Sequence, residues 1–185
     1  LQGLSYDPNK AVELLSQSKY ATDIPRIQVT VPGSGGSVGL DLEVILDMWN
    51  DILGVQVETT QVDWATFLQD LNDKKLQAFA GLGWAADYPD PQNFIDVLFY
   101  GSSTLNHTGY KNTKVDQIIE KARTESDFPI RSSLYKEAEQ IIVNESPWIP
   151  LWYSGESYVL IKPYEKGNKM TPLIVPKLSH VEIIN

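Results

Sequence analysis

The first half of the chain alternates between two hydrophobic periods. Apolar residues at every second position predict strands, and apolar residues three and four positions apart predict amphipathic helices. The predicted elements are a helix at 8–18, a strand at 26–31, a helix at 40–53, a strand at 55–62, a helix at 64–71 and a strand at 78–84. Because parallel strands need crossover connections, this order predicts an α/β fold.

The second half is predicted to be more helical. Helical periodicity covers 93–99, 115–124 and 130–144, and two strands are predicted at 148–153 and 158–161, separated by a turn at 154–156. Beyond Lys162 the chain shows little periodicity.

Specific residues mark three helix boundaries. Asp7 followed by Pro8 is a helix start signal, and Asp63 is placed to cap the helix that follows it. Gly54 is placed to end the helix before it.

Composition and charge narrow the function classes. The 185 residues include 15 Lys and Arg against 24 Asp and Glu, a formal net charge of −9. An acidic chain without a basic stripe argues against nucleic acid as a partner. There is no cysteine, so thiolate metal sites are excluded. His107 and His180 do not form a metal-spaced pair, and no cofactor is expected.

The termini and hydropathy bear on location. No apolar run approaches the roughly 18 to 20 residues that span a bilayer. The first ten residues lack a signal-peptide pattern, and the first residue is Leu1 rather than Met, so we expect a processed chain or a fragment.

A glycine-rich loop at 32–37 precedes the second predicted helix. It is not a dinucleotide-binding fingerprint, because Val38 stands where the third glycine would be, and it lacks the Lys-Ser/Thr pair of a P-loop. A flexible connection is the expected role, although loops of this kind often face ligands.

The segment at 83–91 has the most chemistry. Asp87 and Asp90 resemble the paired carboxylates of a glycosidase, although a turn built from Asp and Pro explains them more simply. Trp84 offers a flat apolar face beside Asp87, and this combination suits an organic ammonium.

The same segment, Gly-Trp-Ala-Ala-Asp-Tyr-Pro-Asp-Pro, resembles the signature of the family 5 extracellular solute-binding proteins, the dipeptide and oligopeptide receptors of ABC transporters. Other segments resemble that family in the expected order along the chain. They are Tyr6–Leu15, Met48–Trp49 with Leu53–Val55, Asn106 with Gly109–Tyr110, Asn112 and Asp116, and Arg131 with Leu134–Tyr135, Ala138–Glu139 and Pro147–Leu151.

The resemblance implies an architecture. It implies the C-terminal lobe of a two-lobed receptor, with the α/β fold of periplasmic-binding-protein type II and a mixed sheet flanked by helices. Residues 1–162 would form this ligand-binding lobe, and residues 163–185 would return toward the N-terminal lobe. A signal peptide, a lipidated cysteine and the N-terminal lobe would precede Leu1.

The resemblance also implies site residues. Asp87 corresponds to the acid that pairs with the α-amino group of a bound peptide, Trp84 to part of a side-chain pocket, and Gly83 and Ala85 to backbone groups that face the peptide. Further ligand contacts are implied at three positions, Asn106, Trp152 and Tyr153. The basic residue that some members carry before Gly-Trp is missing, since Ala80–Leu82 stand there.

The expected function is therefore binding without chemistry. The chain is expected to be part of the substrate-binding component of an ABC importer, outside the cytoplasm, and to bind short peptides or related solutes in a cleft between two lobes. Its expected partners are that ligand, the N-terminal lobe and the permease subunits, with membrane contact only through a lipid anchor outside this chain. The alternatives are an oligosaccharide or metal-chelate receptor of the same family, and a carboxylate-using glycosidase. An Asp87–Asp90 glycosidase would turn over chromogenic glycosides.

Overall fold

The computed structural model describes residues 1–153, 160–169 and 178–184. They form two compact units. The first unit contains residues 2–83, and the second contains the described residues from Trp84 onward together with Leu1. Each unit has its own buried apolar residues.

The first unit is built on a three-stranded parallel sheet. Its strands are β1 (Ile27–Pro32), β2 (Val57–Val62) and β3 (Ala78–Phe79), in the order β2-β1-β3. Its helices are α1 (Pro8–Gln17), α2 (Leu40–Leu53) and α3 (Trp64–Asn72). The predicted α/β fold is confirmed, and the described strands of this sheet are all parallel.

The predicted helix boundaries of this unit are also confirmed. The Asp7 carboxylate accepts a hydrogen bond from the Lys10 N–H at 2.9 Å. The Asp63 carboxylate accepts two backbone hydrogen bonds, from the N–H groups of Ala65 and Thr66, at 3.0 and 3.1 Å. Gly54 ends α2 in the left-handed conformation, with φ +65°.

The third strand is shorter than predicted. The sequence predicts a strand over 78–84, but β3 ends at Phe79, and the Ala80 N–H adds one more bond to the Thr30 carbonyl at 3.1 Å. The next bond of this parallel ladder needs an N–H from position 32, where Pro32 has none. Gly81 then turns the chain with φ +80°.

The second unit is mainly helical. It contains α4 (Gln92–Phe99), α5 (Thr113–Thr124) and α6 (Phe128–Glu145), close to the predicted spans. Residues of all three helices form one apolar core, with Val115, Ile119, Ala122 and Ala138 fully buried. The Phe99 and Trp148 rings pack edge to face in this unit, with centroids 5.3 Å apart.

The end of the chain differs most from prediction. Residues 148–153 contain no strand, so that strand prediction is wrong. The predicted turn at 154–156 and the first two residues of the strand predicted at 158–161 lie outside the described residues, and 160–161 are not in a strand. In the part beyond Lys162 where no element was predicted, β4 (Glu165–Lys166) pairs antiparallel with β5 (Glu182–Ile183), and a short 3₁₀ turn (Leu178–His180) precedes β5.

Candidate functional site

An irregular loop of the second unit runs from Trp84 to the start of α4. It contains Asp87 and Asp90, and a third acid, Asp96, follows in α4. Trp84 is half-buried and packs against the core of the unit. Its indole N–H donates to the carbonyl of Asn93 at 2.9 Å and to the Asn93 Oδ1 at 3.2 Å. Trp84 is therefore held by both the backbone and the side chain of one residue in α4.

Asp87 is held by the same side chain. Its backbone N–H donates to the Asn93 Oδ1 at 3.1 Å, and the Asn93 Nδ2 donates to the Asp87 Oδ2 at 3.3 Å. The Asp87 residue is exposed. The loop thus presents an oriented carboxylate to solvent, close in the chain to an aromatic ring that shares its anchor.

Asp90 is engaged by α6. The Arg131 guanidinium makes two hydrogen bonds to its carboxylate, one of them at 3.0 Å from Nη2 to Oδ1, and the Gln92 N–H adds a third at 2.8 Å. Partial burial raises the pKa of Asp90, but the hydrogen bonds from Arg131 and Gln92 outweigh it and hold the pKa below its ordinary value. A glycosidase acid needs a raised pKa, so Asp90 is poorly suited to that role.

Asp96, in α4, is also paired with an arginine. It is buried, and Arg123 of α5 donates to it from Nε and Nη2 at 2.8 and 2.7 Å. The Arg123 guanidinium also lies over the Tyr100 ring, 4.0 Å from its centroid. Hydrogen bonds to Asp96 raise the pKa of Arg123 above its ordinary value, so the guanidinium stays charged.

The three acids therefore differ in what they bind. Asp90 forms an ion pair with Arg131, and Asp96 forms one with Arg123. Across the described ranges no ion pair engages Asp87, which is also the exposed member of the three. Its charge is available to a cation from outside this unit.

The other predicted site residues lie in different surroundings. Gly83 is the exposed last residue of the first unit, and Ala85 is exposed in the loop. Trp152 and Tyr153 are exposed at the end of a described stretch. Asn106 is 0% exposed, and its amide bonds to the backbone of Tyr100 and Tyr110. Ligand contact by each of these residues stays a prediction.

The sequence-based interpretation missed one residue of this loop, Asn93, which it considered only as the beginning of a helix. For Arg131 it predicted a structural pairing with Glu137, Glu139 or a loop, and the loop alternative is confirmed, since the partner of Arg131 is the loop acid Asp90. A signal for Asn93 exists, because Asn93 and Asp96 are polar residues three positions apart on the buried side of a short helix.

The glycine-rich loop at 32–37 is held by the side chain of Gln61 in β2. The Gln61 Oε1 accepts a hydrogen bond from the Gly35 N–H at 2.8 Å, and the Gln61 Nε2 donates to the Ser37 carbonyl at 3.0 Å. The loop borders a cavity of about 320 Å³ whose lining includes Glu43 and Asp47. Acids at that position disfavour an anionic ligand there.

The fold of this chain is similar to those of solved periplasmic binding proteins. The chain is similar to the structure of OppA from Burkholderia pseudomallei, with 27% identity, a TM-score of 0.78, and coverage of 96% of this chain and 35% of that one. It is also similar to a periplasmic binding protein, DppA from Helicobacter pylori, in complex with the peptide STSA, with 27% identity, a TM-score of 0.69, and coverage of 80% and 29%. The fold is that of periplasmic-binding-protein type II.

The family follows from the sequence match. Residues 2–106 match the family model of bacterial extracellular solute-binding proteins, family 5 (middle), and the chain belongs to this family. It is 27% identical over 150 residues to the oligopeptide-binding protein OppA of Bacillus subtilis, a match that covers 81% of this chain and 27% of that protein. The chain thus spans about a quarter of that relative's length.

Neither a membrane span nor a metal site is found among the described residues. In the part of the chain that the structure describes, no helix has both the length and the hydropathy to cross a membrane. Over the same residues, no group of three or more His, Asp or Glu side chains is arranged to hold a metal ion.

Proposed function

We propose that this chain forms one lobe of a receptor that binds short peptides outside the cytoplasmic membrane and delivers them to an ABC importer. Membership in an extracellular solute-binding family supports the location. The names of relatives support the ligand class, since they are peptide-binding proteins, one of them with a peptide bound. The same proposal includes a longer protein that carries a second lobe and a lipid anchor and that binds permease subunits.

One observation carries the ligand class. Asp87 is an exposed carboxylate that is oriented by hydrogen bonds and, among the described residues, takes part in no ion pair. The α-amino group of a peptide is an ammonium ion with three N–H donors, the natural partner for such an acceptor. Trp84 and the backbone at Gly83 and Ala85 would contact the first residues of the peptide.

Charge also explains why binding would close the receptor. When a second lobe covers Asp87, water is removed from the carboxylate, and an unpaired buried charge is costly. A peptide ammonium in the site supplies the missing countercharge. Ligand binding therefore favours the closed state, because only that state makes both sets of contacts.

The test measures peptide affinity in the full-length receptor by calorimetry. The probes are trialanine and N-acetyl-trialanine, which differ in the charge at the amino end. Asp87→Ala should weaken trialanine binding by more than tenfold, a change above about 1.4 kcal/mol. Binding of the acetylated peptide should change much less, because it has no ammonium.

The matched control is Asp51→Ala, which removes an equally charged and exposed carboxylate from α2. It should leave both affinities unchanged. If Asp87→Ala also leaves trialanine affinity unchanged, Asp87 is not the ammonium partner. If the wild-type receptor binds neither peptide, the ligand class is wrong.

A further inference from the structure

Asn93 has an unusual position in the second unit. It is the second residue of α4, and it is only 2% exposed. The hydrogen bonds of its side-chain amide go to Trp84 and Asp87. These are the two residues with the strongest claim to contact a peptide.

The donor and acceptor pattern fixes the orientation of this amide. The Oδ1 atom faces two N–H groups, the Trp84 indole at 3.2 Å and the Asp87 backbone at 3.1 Å. The Nδ2 atom faces a carboxylate oxygen, Asp87 Oδ2, at 3.3 Å. Turning the amide over would place its oxygen against a carboxylate and its NH₂ against two donors, so only one orientation satisfies all three partners.

Asn93 is itself anchored. Its backbone N–H donates to the Asp90 carbonyl at 3.1 Å, and the Asp90 side chain is bound by Arg131. The ion pair thus fixes the start of α4, and α4 fixes Asn93. This chain of contacts runs from α6 to the loop without using the charge of Asp87.

We infer that Asn93 is the positioning residue that sets the Asp87 carboxylate and the Trp84 ring in place for a peptide ammonium. The inference rests on the proposed function. A neutral amide suits this task, because it orients the carboxylate without cancelling its charge. Arginine fixes Asp90 and Asp96 and neutralises both, whereas Asn93 occupies Oδ2 of Asp87 and leaves the negative charge to the ligand.

Two variants separate the parts of this role. Asn93→Ala removes the amide, but the Trp84 indole keeps its 2.9 Å bond to the backbone carbonyl at position 93. Asn93→Asp keeps the volume and an acceptor for both N–H groups, and replaces the donor that faces Asp87 by a carboxylate oxygen. Repulsion between the two carboxylates should then turn the Asp87 side chain away.

The binding test compares trialanine with N-acetyl-trialanine in the full-length receptor. Asn93→Ala and Asn93→Asp should each weaken trialanine binding by about fivefold or more, and a fivefold loss corresponds to about 1 kcal/mol. The affinity for the acetylated peptide should change by less than about twofold. The control is Asn112→Ala, which removes an asparagine with four hydrogen bonds at the start of α5. It should change the two affinities by the same factor.

A second readout needs no peptide. In ¹H–¹⁵N spectra of the full-length receptor, the Asp87 amide should exchange with solvent faster in Asn93→Ala than in wild type, because its acceptor is gone. The Trp84 indole resonance, assigned with Trp84→Phe, should shift in the same variant. Asn112→Ala should leave both signals in place.

The outcomes distinguish this inference from the proposed function. Equal loss of both affinities in the Asn93 variants, with the Asp87 amide still protected in Asn93→Ala, would overturn the positioning role. A wild-type receptor without preference for trialanine would overturn the proposed function, and the exchange of the Asp87 amide would then decide the positioning role alone. If Asn93→Ala does not fold, Asn93→Asp, which keeps the side-chain volume, provides the same comparison of the two peptide affinities.

Discussion

The ion pair between Arg131 and Asp90 should stabilise the contact between α6 and the loop at 84–91. Arg131→Met removes the guanidinium and keeps a long apolar side chain. It deletes the two hydrogen bonds to Asp90 and a third from Nε to the Ala122 carbonyl, which is 3.1 Å long. The Asp90 carboxylate then loses its charged partner while it stays largely covered.

The expected loss follows from burial. The two side chains are 21% and 23% exposed, so the pair lies between a surface pair and a fully buried one. Exposed pairs contribute roughly 0.2–1 kcal/mol, and hydrogen bonds to charged groups contribute about 1.5–3 kcal/mol. We expect Arg131→Met to lower the free energy of unfolding by about 2 kcal/mol.

The assay is urea unfolding of the protein, followed by circular dichroism. With a slope of about 2 kcal/mol per molar urea, the midpoint should fall by roughly 1 M. A double-mutant cycle with Asp90→Asn isolates the pair, and we expect a coupling energy of about 1–2 kcal/mol. The matched control is the Lys114–Glu137 pair, which is 3.7 Å long with side chains 67% and 53% exposed, and its coupling should stay below about 0.5 kcal/mol.

The pH dependence has a definite sign. The pKa of Asp90 is lowered in the folded protein from its ordinary value of 3.8. The contribution of the pair is therefore complete above pH 3.8 and is lost as the pH falls through the folded-state pKa of Asp90. The difference between wild type and Arg131→Met should be constant near neutrality and shrink in acid. A cycle whose coupling equals that of the exposed control pair, or a difference that does not change in acid, would refute the reasoning.

Two further predictions concern stability in each unit. Asn106→Ala should lower the free energy of unfolding by about 3 kcal/mol in urea titrations, because it removes three hydrogen bonds that the buried Asn106 amide makes to the backbone of Tyr100 and Tyr110; a loss below about 1 kcal/mol would contradict this. Gly54→Ala should lower it by about 1 kcal/mol, because φ is +65° at the end of α2 although nothing lies within 4 Å of an added Cβ, and an unchanged melting temperature would contradict the strain.

Local signals predicted the elements of this fold well. Asp7, Asp63 and Gly54 act at helix ends through contacts within a few residues, so the sequence alone identifies them. The length of β3 was not predictable in the same way. It depends on Pro32 in the neighbouring strand, about fifty residues away in the chain, and apolar residues continue past the point where pairing stops.

Burial was harder to predict than helix formation. The apolar stripe of α2 correctly predicts a helix, yet no residue of α2 is buried in the part of the chain that the structure describes. Trp64, at the start of the predicted helix 64–71, is 53% exposed and stacks on Phe67 with ring centroids 5.8 Å apart. Periodicity shows that a helix has an apolar face, whereas burial depends on what packs against that face.

The candidate site shows why residue type alone does not assign function. Asp87, Asp90 and Asp96 are the same residue within ten positions, and residue type alone gives no reason to separate their roles. The fold separates them, because the arginines that neutralise Asp90 and Asp96 lie 41 and 27 positions away, on α6 and α5. Once these two charges are paired, the remaining acid is the one held by a neutral amide. A carboxylate that is oriented but not neutralised retains its full attraction for a cationic ligand, and this difference in partner, rather than the acid itself, is what distinguishes Asp87.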